Sequence, residues 1–265
     1  MKLIEDKKRT LPLTKTFPLI GNLIKLGYFD LNIEGFHHIP KTNKRKIIYV
    51  SNHSGWFALD ALMIAMALDV NNLFNRDLAP YTVIQEVLLQ FPGFKTIFQR
   101  SGALSTKNLL KNEIPPFVNR IGMFPEGPEG TSKSFLNAYN MRPWKPGFAK
   151  LAIQLKALVV PITVVGAEES LPSLKTIKWT KKIFGAVSPF PIVPFPLPTN
   201  WEIKAYKAID FAKISDSISH EELKYIVKDF QSLHQKRLNT VTKNKPLAKI
   251  LKRKSEIKER LIRWA

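Results

Sequence analysis

Apolar positions along this chain fall into two periodicities. Residues 46–51, KIIYVS, make a β-branched run of strand length, and Asn52 to Gly55 punctuate it with loop formers. Residues 56–68, WFALDALMIAMAL, are apolar on nearly every face and rich in helix formers, which predicts a helix enclosed by the core. Further strands are expected at 80–85 (PYTVIQ), 96–100 (TIFQR), 121–127 (IGMFPEG) and 157–167 (ALVVPITVVGA), with helices over 107–112 and 147–155 between them. IGMF and LVVPITVV are short apolar runs ended by Gly, Pro or charge, as expected of strands covered on both faces. This alternation predicts an α/β fold: a mixed, mostly parallel sheet flanked by helices in a single domain.

The ends of the chain read differently. Residues 183–201 carry five prolines at 189, 191, 194, 196 and 198, which exclude a regular helix there. Such an apolar, stiffened segment is either a lid or membrane-contacting element, or a wall over the core. Residues 201–211 alternate like a late strand, and 219–239 open on Ser219-x-x-Glu222, a capping-box start to a helix. The expected organisation is an apolar helical arm over 1–30, a domain over 31–240 and a basic helical tail over 241–265.

Composition narrows the class. The 265 residues suffice for a sizeable core, and the absence of cysteine removes disulfides, thiolate metal sites and thiol nucleophiles, in keeping with a reducing cytoplasm. Lys and Arg number 41 against 21 Asp and Glu, for a formal charge of +20. Such a surface attracts polyanions, either nucleic acid or an anionic membrane. No nucleic-acid reader motif is found. No segment reaches the roughly 18 to 20 uninterrupted apolar residues of a membrane span. Residues 11–29 are broken by Lys15, Pro18, Asn22 and Lys25 and lack a small-residue cleavage site, so a signal peptide is not expected. That arm either lies flat in a membrane interface or packs on its own core.

The candidate chemistry starts at SNHSGWFALD, where His53 stands at the mouth of the first core strand and Asp60 follows seven residues later. In continuous helix the two would stand about 10 Å apart, so pairing requires a loop, which Gly55 and its neighbours supply. Paired, the carboxylate would orient one imidazole nitrogen and leave the other to accept a hydroxyl proton. Unpaired, they are a helix cap and a surface charge. Phe-Pro-Glu-Gly at 124–127 places Glu126 and Gly127 at a strand end, where open α/β sheets bind ligands, and Lys133 offers charge for a phosphate. Arg100 and Ser101 follow another expected strand, where the arginine suits a phosphate clamp.

These blocks, in this order from about Leu31 to Asp210, resemble the glycerolipid acyltransferase superfamily, which includes the lysophospholipid and glycerol-phosphate acyltransferases. The resemblance implies His53 as base, Asp60 as its orienter, and Glu126 and Gly127 as acceptor-site residues, with Arg100, Ser101 and Lys133 as further substrate contacts. Here six residues separate His53 from Asp60, where the commoner pattern has four and Ala58 would be Asp. The Asn-His-Ser-Gly opening and the later GAEE are similar to the monoacylglycerol-acyltransferase-like branch. The implied reaction moves a fatty acyl group from acyl-CoA or acyl carrier protein to a hydroxyl of glycerol phosphate, a lysophospholipid or a related lipid alcohol, with no metal or other cofactor. The implied setting is peripheral, on the cytoplasmic face of the membrane, with a lipid surface and no nucleic acid as partner. Rival readings are a serine hydrolase using Ser54, a metal site built from His53, Asp60 and Glu126, and a non-catalytic basic protein that binds lipid at the membrane surface.

Overall fold

The computed structural model describes residues 18–41, 44–55, 59–71, 80–84, 102–106, 109, 114–177, 179–180, 188–215 and 217–264. At its centre lies β2 (Ile47–Ser51), buried along its whole length, between β6 (Leu158–Val165) and β5 (Arg120–Met123), all three parallel. β3 (Tyr81–Ile84) and β4 (Ala103–Ser105) continue the parallel set beyond β5. On the other side β9 (Thr199–Ala205) runs antiparallel to β6 and carries β1 (Phe29–Glu34) parallel to itself. The two-residue β10 (Ile209–Asp210) pairs with the start of β6. The order β1-β9-β6-β2-β5-β3-β4 is the mixed, mostly parallel sheet expected from the strand–helix alternation.

The two-residue period of the central strands sorts their side chains onto two cores. Ile47, Tyr49, Val160, Ile162 and Val164 face α2 (Leu59–Val70), whose Met63 and Leu68 are fully buried. Ile48, Val50 and Val159 face α4 (Gly147–Gln154) and α6 (His220–Thr242) through Phe148, Leu151, Leu223 and Val227. α6 starts with the expected capping box, the Ser219 hydroxyl accepting the Glu222 N–H and the Glu222 carboxylate accepting the Ser219 N–H. It runs on to Thr242, and α7 (Pro246–Trp264) follows as the basic helical tail.

Two expectations need correction. The expected strand over 201–211 is interrupted: β9 ends at Ala205, and pairing resumes at β10 on the opposite end of β6. The proline-rich stretch is not wholly irregular, because Ser188–Pro191 forms β8 against β7 (Ser173–Ile177). A two-stranded ribbon has two open edges, so prolines can sit where no ladder bond is required. Residues 1–17, the expected strand 96–100 and all but Leu109 of the helix expected over 107–112 lie outside the described residues. In the arm, α1 (Pro18–Lys25) packs Ile20, Leu23 and Ile24 on the core while Leu19 remains exposed, as does Leu26 just beyond the helix. No helix among the described residues is long and apolar enough to cross a membrane.

His234 of α6 is completely buried beside Trp144. Burial, then the nearby Arg237 charge, depress its pKa to about 3 from 6.5, against a compensating contact with the Ile162 backbone. The folded state thus binds fewer protons than the unfolded chain below pH 6.5. The contribution of His234 to stability is therefore flat above pH 6.5 and falls by up to about 1.4 kcal/mol per pH unit below it. Urea midpoints measured between pH 7.5 and 5 should show this slope, and His234→Leu should remove it; an unchanged slope in the variant would contradict the assignment.

Candidate active site

The site lies at the carboxyl end of β2, where the chain leaves the sheet. Asn52 extends the strand with its side chain: its amide donates to the Val164 carbonyl at 2.7 Å and accepts the Val164 N–H at 3.0 Å. That double bond fixes where the backbone departs. Gly55 then turns with φ +77°, and a Cβ at that position would stand 2.6 Å from the Ala167 Cβ of α5 (Ala167–Ser170). The turn brings His53 back over the first turn of α2. His53 Nδ1 and Asp60 Oδ2 are 2.6 Å apart, and Asp60 is fully buried.

The Asp60 carboxylate also accepts the Ser54 N–H at 2.8 Å and the Ala61 N–H at 2.7 Å. Acting as the acceptor throughout, it makes Nδ1 the donor and Nε2 the basic nitrogen of the neutral ring. Nε2 has no hydrogen-bond partner among the described residues, and the side chain keeps 13% exposure. The ring stacks on Phe124 with centroids 4.4 Å apart. The result is an oriented imidazole whose free nitrogen suits proton abstraction.

Glu126 is placed differently from the sequence expectation. It is fully buried, and Oε1 accepts the backbone N–H of His53 at 2.8 Å while Oε2 accepts that of Arg142 at 2.7 Å. Both oxygens are thus engaged inside the protein. Lys133 does not extend toward a ligand either: its ammonium, 2% exposed, lies 3.5 Å from Glu126 and 3.4 Å from Glu168. Burial beside two carboxylates is what draws it inward. Gly127, with φ +60°, turns the chain into α3 (Pro128–Thr131). Arg100 and Ser101 lie outside the described residues.

Several contributors carry no chemical signature in the sequence. The irregular segment 139–144 is strapped to α6 by two glutamines. Gln231 accepts the Trp144 N–H and donates to the Arg142 carbonyl, and Gln235 accepts the Met141 N–H and donates to the Tyr139 carbonyl. The straps present the Arg142 N–H to Glu126. Tyr139, at φ +63°, donates its N–H to Glu168 and its hydroxyl to Glu169. Burial pushes the Glu168 carboxyl up against the opposing Lys133 charge, and burial with the Glu169 charge pushes the Tyr139 phenol up.

The rival chemistries fit this arrangement poorly. The Ser54 hydroxyl is buried with no hydrogen-bond partner among the described residues, so it is not presented to His53 as a nucleophile. Among the described residues no group of three or more His, Asp or Glu is arranged to hold a metal ion.

The sequence profile of the family described as Acyltransferase matches residues 30–165, just over half of the chain. The chain belongs to this family. Its matched region carries His53, Asp60, Glu126 and Lys133 and ends with β6. An uncharacterized protein of Mycobacterium leprae is 27% identical over 188 residues, covering 67% of this chain and 50% of its own length. One of Mycobacterium tuberculosis is 26% identical over 197 residues, covering 70% and 53%. The chain thus spans about half the length of the curated relatives it matches. Among solved structures, the 1-acyl-sn-glycerophosphate (LPA) acyltransferase PlsC of Thermotoga maritima shares the fold with a TM-score of 0.57 at 16% identity, over 91% of this chain and 84% of that one.

Gly130 of α3 packs closely against the His53 loop. A Cβ there would stand 2.7 Å from the His53 Cβ, 2.8 Å from its carbonyl oxygen and 2.9 Å from the Glu126 Cβ. Gly130→Ala should therefore push α3 off the loop and lower stability by about 1–3 kcal/mol. Urea unfolding checks this, and wild-type stability in the variant would contradict the packing.

Proposed function

We propose that the chain is an O-acyltransferase acting on glycerolipids, moving a fatty acyl group from acyl-CoA or acyl carrier protein to a hydroxyl of glycerol phosphate, a lysophospholipid or a related lipid alcohol. The observation that carries the reading is the 2.6 Å His53–Asp60 pair with Nε2 unpartnered at the carboxyl end of the sheet, in a chain of the acyltransferase family. That the Thermotoga maritima neighbour is a 1-acyl-sn-glycerophosphate acyltransferase supports the substrate class.

In the proposed step, Nε2 takes the acceptor hydroxyl proton as the oxygen attacks the thioester carbonyl carbon. Asp60 holds the tautomer and stabilises the imidazolium that forms. The tetrahedral oxyanion collapses, the carbon–sulfur bond breaks, and the departing thiolate takes the proton from Nε2, giving ester and free thiol. All reacting atoms come from the two substrates and the imidazole.

In purified protein supplied with acyl-CoA and a lysophospholipid acceptor, His53→Ala should lower turnover by about 10²- to 10⁴-fold. Asp60→Asn should also lower it, because an amide stabilises the imidazolium poorly and disturbs the tautomer. Undiminished turnover in His53→Ala would overturn the mechanism. Thioester hydrolysis at full rate without any acceptor would favour a hydrolase instead.

The same reading gives the protein an anionic lipid surface as partner, at the inner face of the cytoplasmic membrane. Because β9 runs antiparallel to β6, the chain before Thr199 lies at the carboxyl end of β6, the end that carries His53. There the Tyr28 hydroxyl donates to the Pro196 carbonyl and the Leu197 N–H to that of Ser170, gathering α1 and the proline-rich segment together. Leu26 and Phe195 of this group are 81% and 76% exposed. Apolar side chains exposed at the end of the sheet that carries His53 and a formal charge of +20 suit an anionic bilayer that also holds the acceptor. Anionic vesicles should sediment the protein more strongly than neutral ones, and removal of residues 246–265 should weaken this. Equal binding to both vesicle types, or displacement by DNA, would argue against it.

A further inference from the structure

The buried charges behind His53 have a role that their residue types do not announce. Glu126, Lys133 and Glu168 carry three ionisable side chains, 0%, 2% and 7% exposed. They meet end to end, with the Lys133 ammonium 3.5 Å from Glu126 Oε2 and 3.4 Å from Glu168 Oε1. Three such groups are costly to bury unless each is matched. The matching is supplied by main chain as much as by charge: His53 and Arg142 donate backbone N–H groups to Glu126, and Tyr139 donates its own to Glu168. The trio thus ties four separate pieces of chain together: the His53 loop, α3 with its exit, the 139–142 segment and α5.

We propose that Lys133 is a positioning residue for His53, its ammonium holding the Glu126 carboxylate in the orientation that anchors the His53 backbone N–H and separating it from Glu168. This deepens the acyl-transfer reading, since it is through His53 that Lys133 acts on the reaction. Without the ammonium, two carboxylates would face each other in a site closed to solvent, and their repulsion would bear on the one that pins the loop. Burial raises the Glu168 carboxyl and Lys133 opposes that shift, which agrees with an ammonium shared by both. The nearby Lys245, 3.8 Å from Glu169, does not replace it, because Glu169 is tied to the Tyr139 hydroxyl rather than to Glu126.

The test uses the full chain and two readouts. Lys133→Met keeps most of the side-chain volume and removes the charge. The His53 amide should then exchange its hydrogen about tenfold faster or more, while amides of β6 and α6 keep wild-type rates. Turnover with acyl-CoA and lysophospholipid should fall in kcat with KM little changed. Adding Glu168→Gln to Lys133→Met removes the facing charge and should restore much of the His53 amide protection. Unchanged protection in Lys133→Met, faster exchange spread uniformly through the sheet, or no restoration in the double variant would each overturn the proposal. If Lys133→Met does not fold, Glu168→Gln alone decides: the ammonium then serves Glu126 only, so His53 protection should hold or rise, and a loss would overturn the proposal. Wild-type protein that transfers no acyl group would count against the proposed function, while the exchange measurements would still decide the role of Lys133.

Discussion

The site depends on one carboxylate that does three jobs. Asp60 holds the His53 imidazole, the Ser54 N–H and the Ala61 N–H, so a single buried side chain joins a strand end, a turn and the start of a helix. Its position in the first turn of α2 also sets its negative charge against the positive end of the helix. An isolated charge at full burial would be strongly unfavourable, and these three donors are what make it tolerable. The loop geometry and the orientation of the imidazole therefore have a common cause.

A second carboxylate extends the same principle outward. Glu126 takes the His53 main-chain N–H on one side and the Arg142 N–H on the other, so the imidazole is fixed from its ring by Asp60 and from its backbone by Glu126. The 139–144 segment that supplies Arg142 has no ladder of its own, and Gln231 and Gln235 satisfy its backbone from α6. A helix distant in sequence thus shapes the site through hydrogen bonds to main chain. The apolar cores set where the sheet and helices lie, and the buried polar contacts set the angles within the site.

What the sequence made legible follows from how local each signal is. β2 and β6 are apolar runs that need cover on both faces, and α6 begins at a capping box, so all three were readable from neighbouring residues. His53 and Asp60 were readable as a pair because Gly55 lies between them and because a straight helix could not join them. Glu126 and Lys133 were readable as charged residues near a strand end, but not by direction. Whether such a side chain points at a ligand or into the protein depends on partners 16 and 35 residues later, Arg142 for Glu126 and Glu168 for Lys133, which no local pattern encodes. Gly130 was silent for the same reason, since its need for a bare Cα is set by His53 across the fold. The ribbon of β7 and β8 escaped notice because proline density signals irregular chain, while only pairing shows that the edges are free.

The departure in spacing between His53 and Asp60 is absorbed by this arrangement. With six residues intervening instead of four, the additional chain has to be accommodated before α2 begins at Leu59, and the described part of the loop shows how its start is held. Asn52 locks the exit from the sheet onto Val164, and Gly55 turns against Ala167 of α5. Those two contacts belong to β6 and to the helix that follows it, not to α2. The imidazole is thus located relative to the sheet, and the carboxylate relative to the helix that packs on the sheet. A change in loop length between them can leave their meeting point unaltered provided both supports persist. The pair is consequently a property of the sheet and its packing, and the count of residues between its two members is secondary to it.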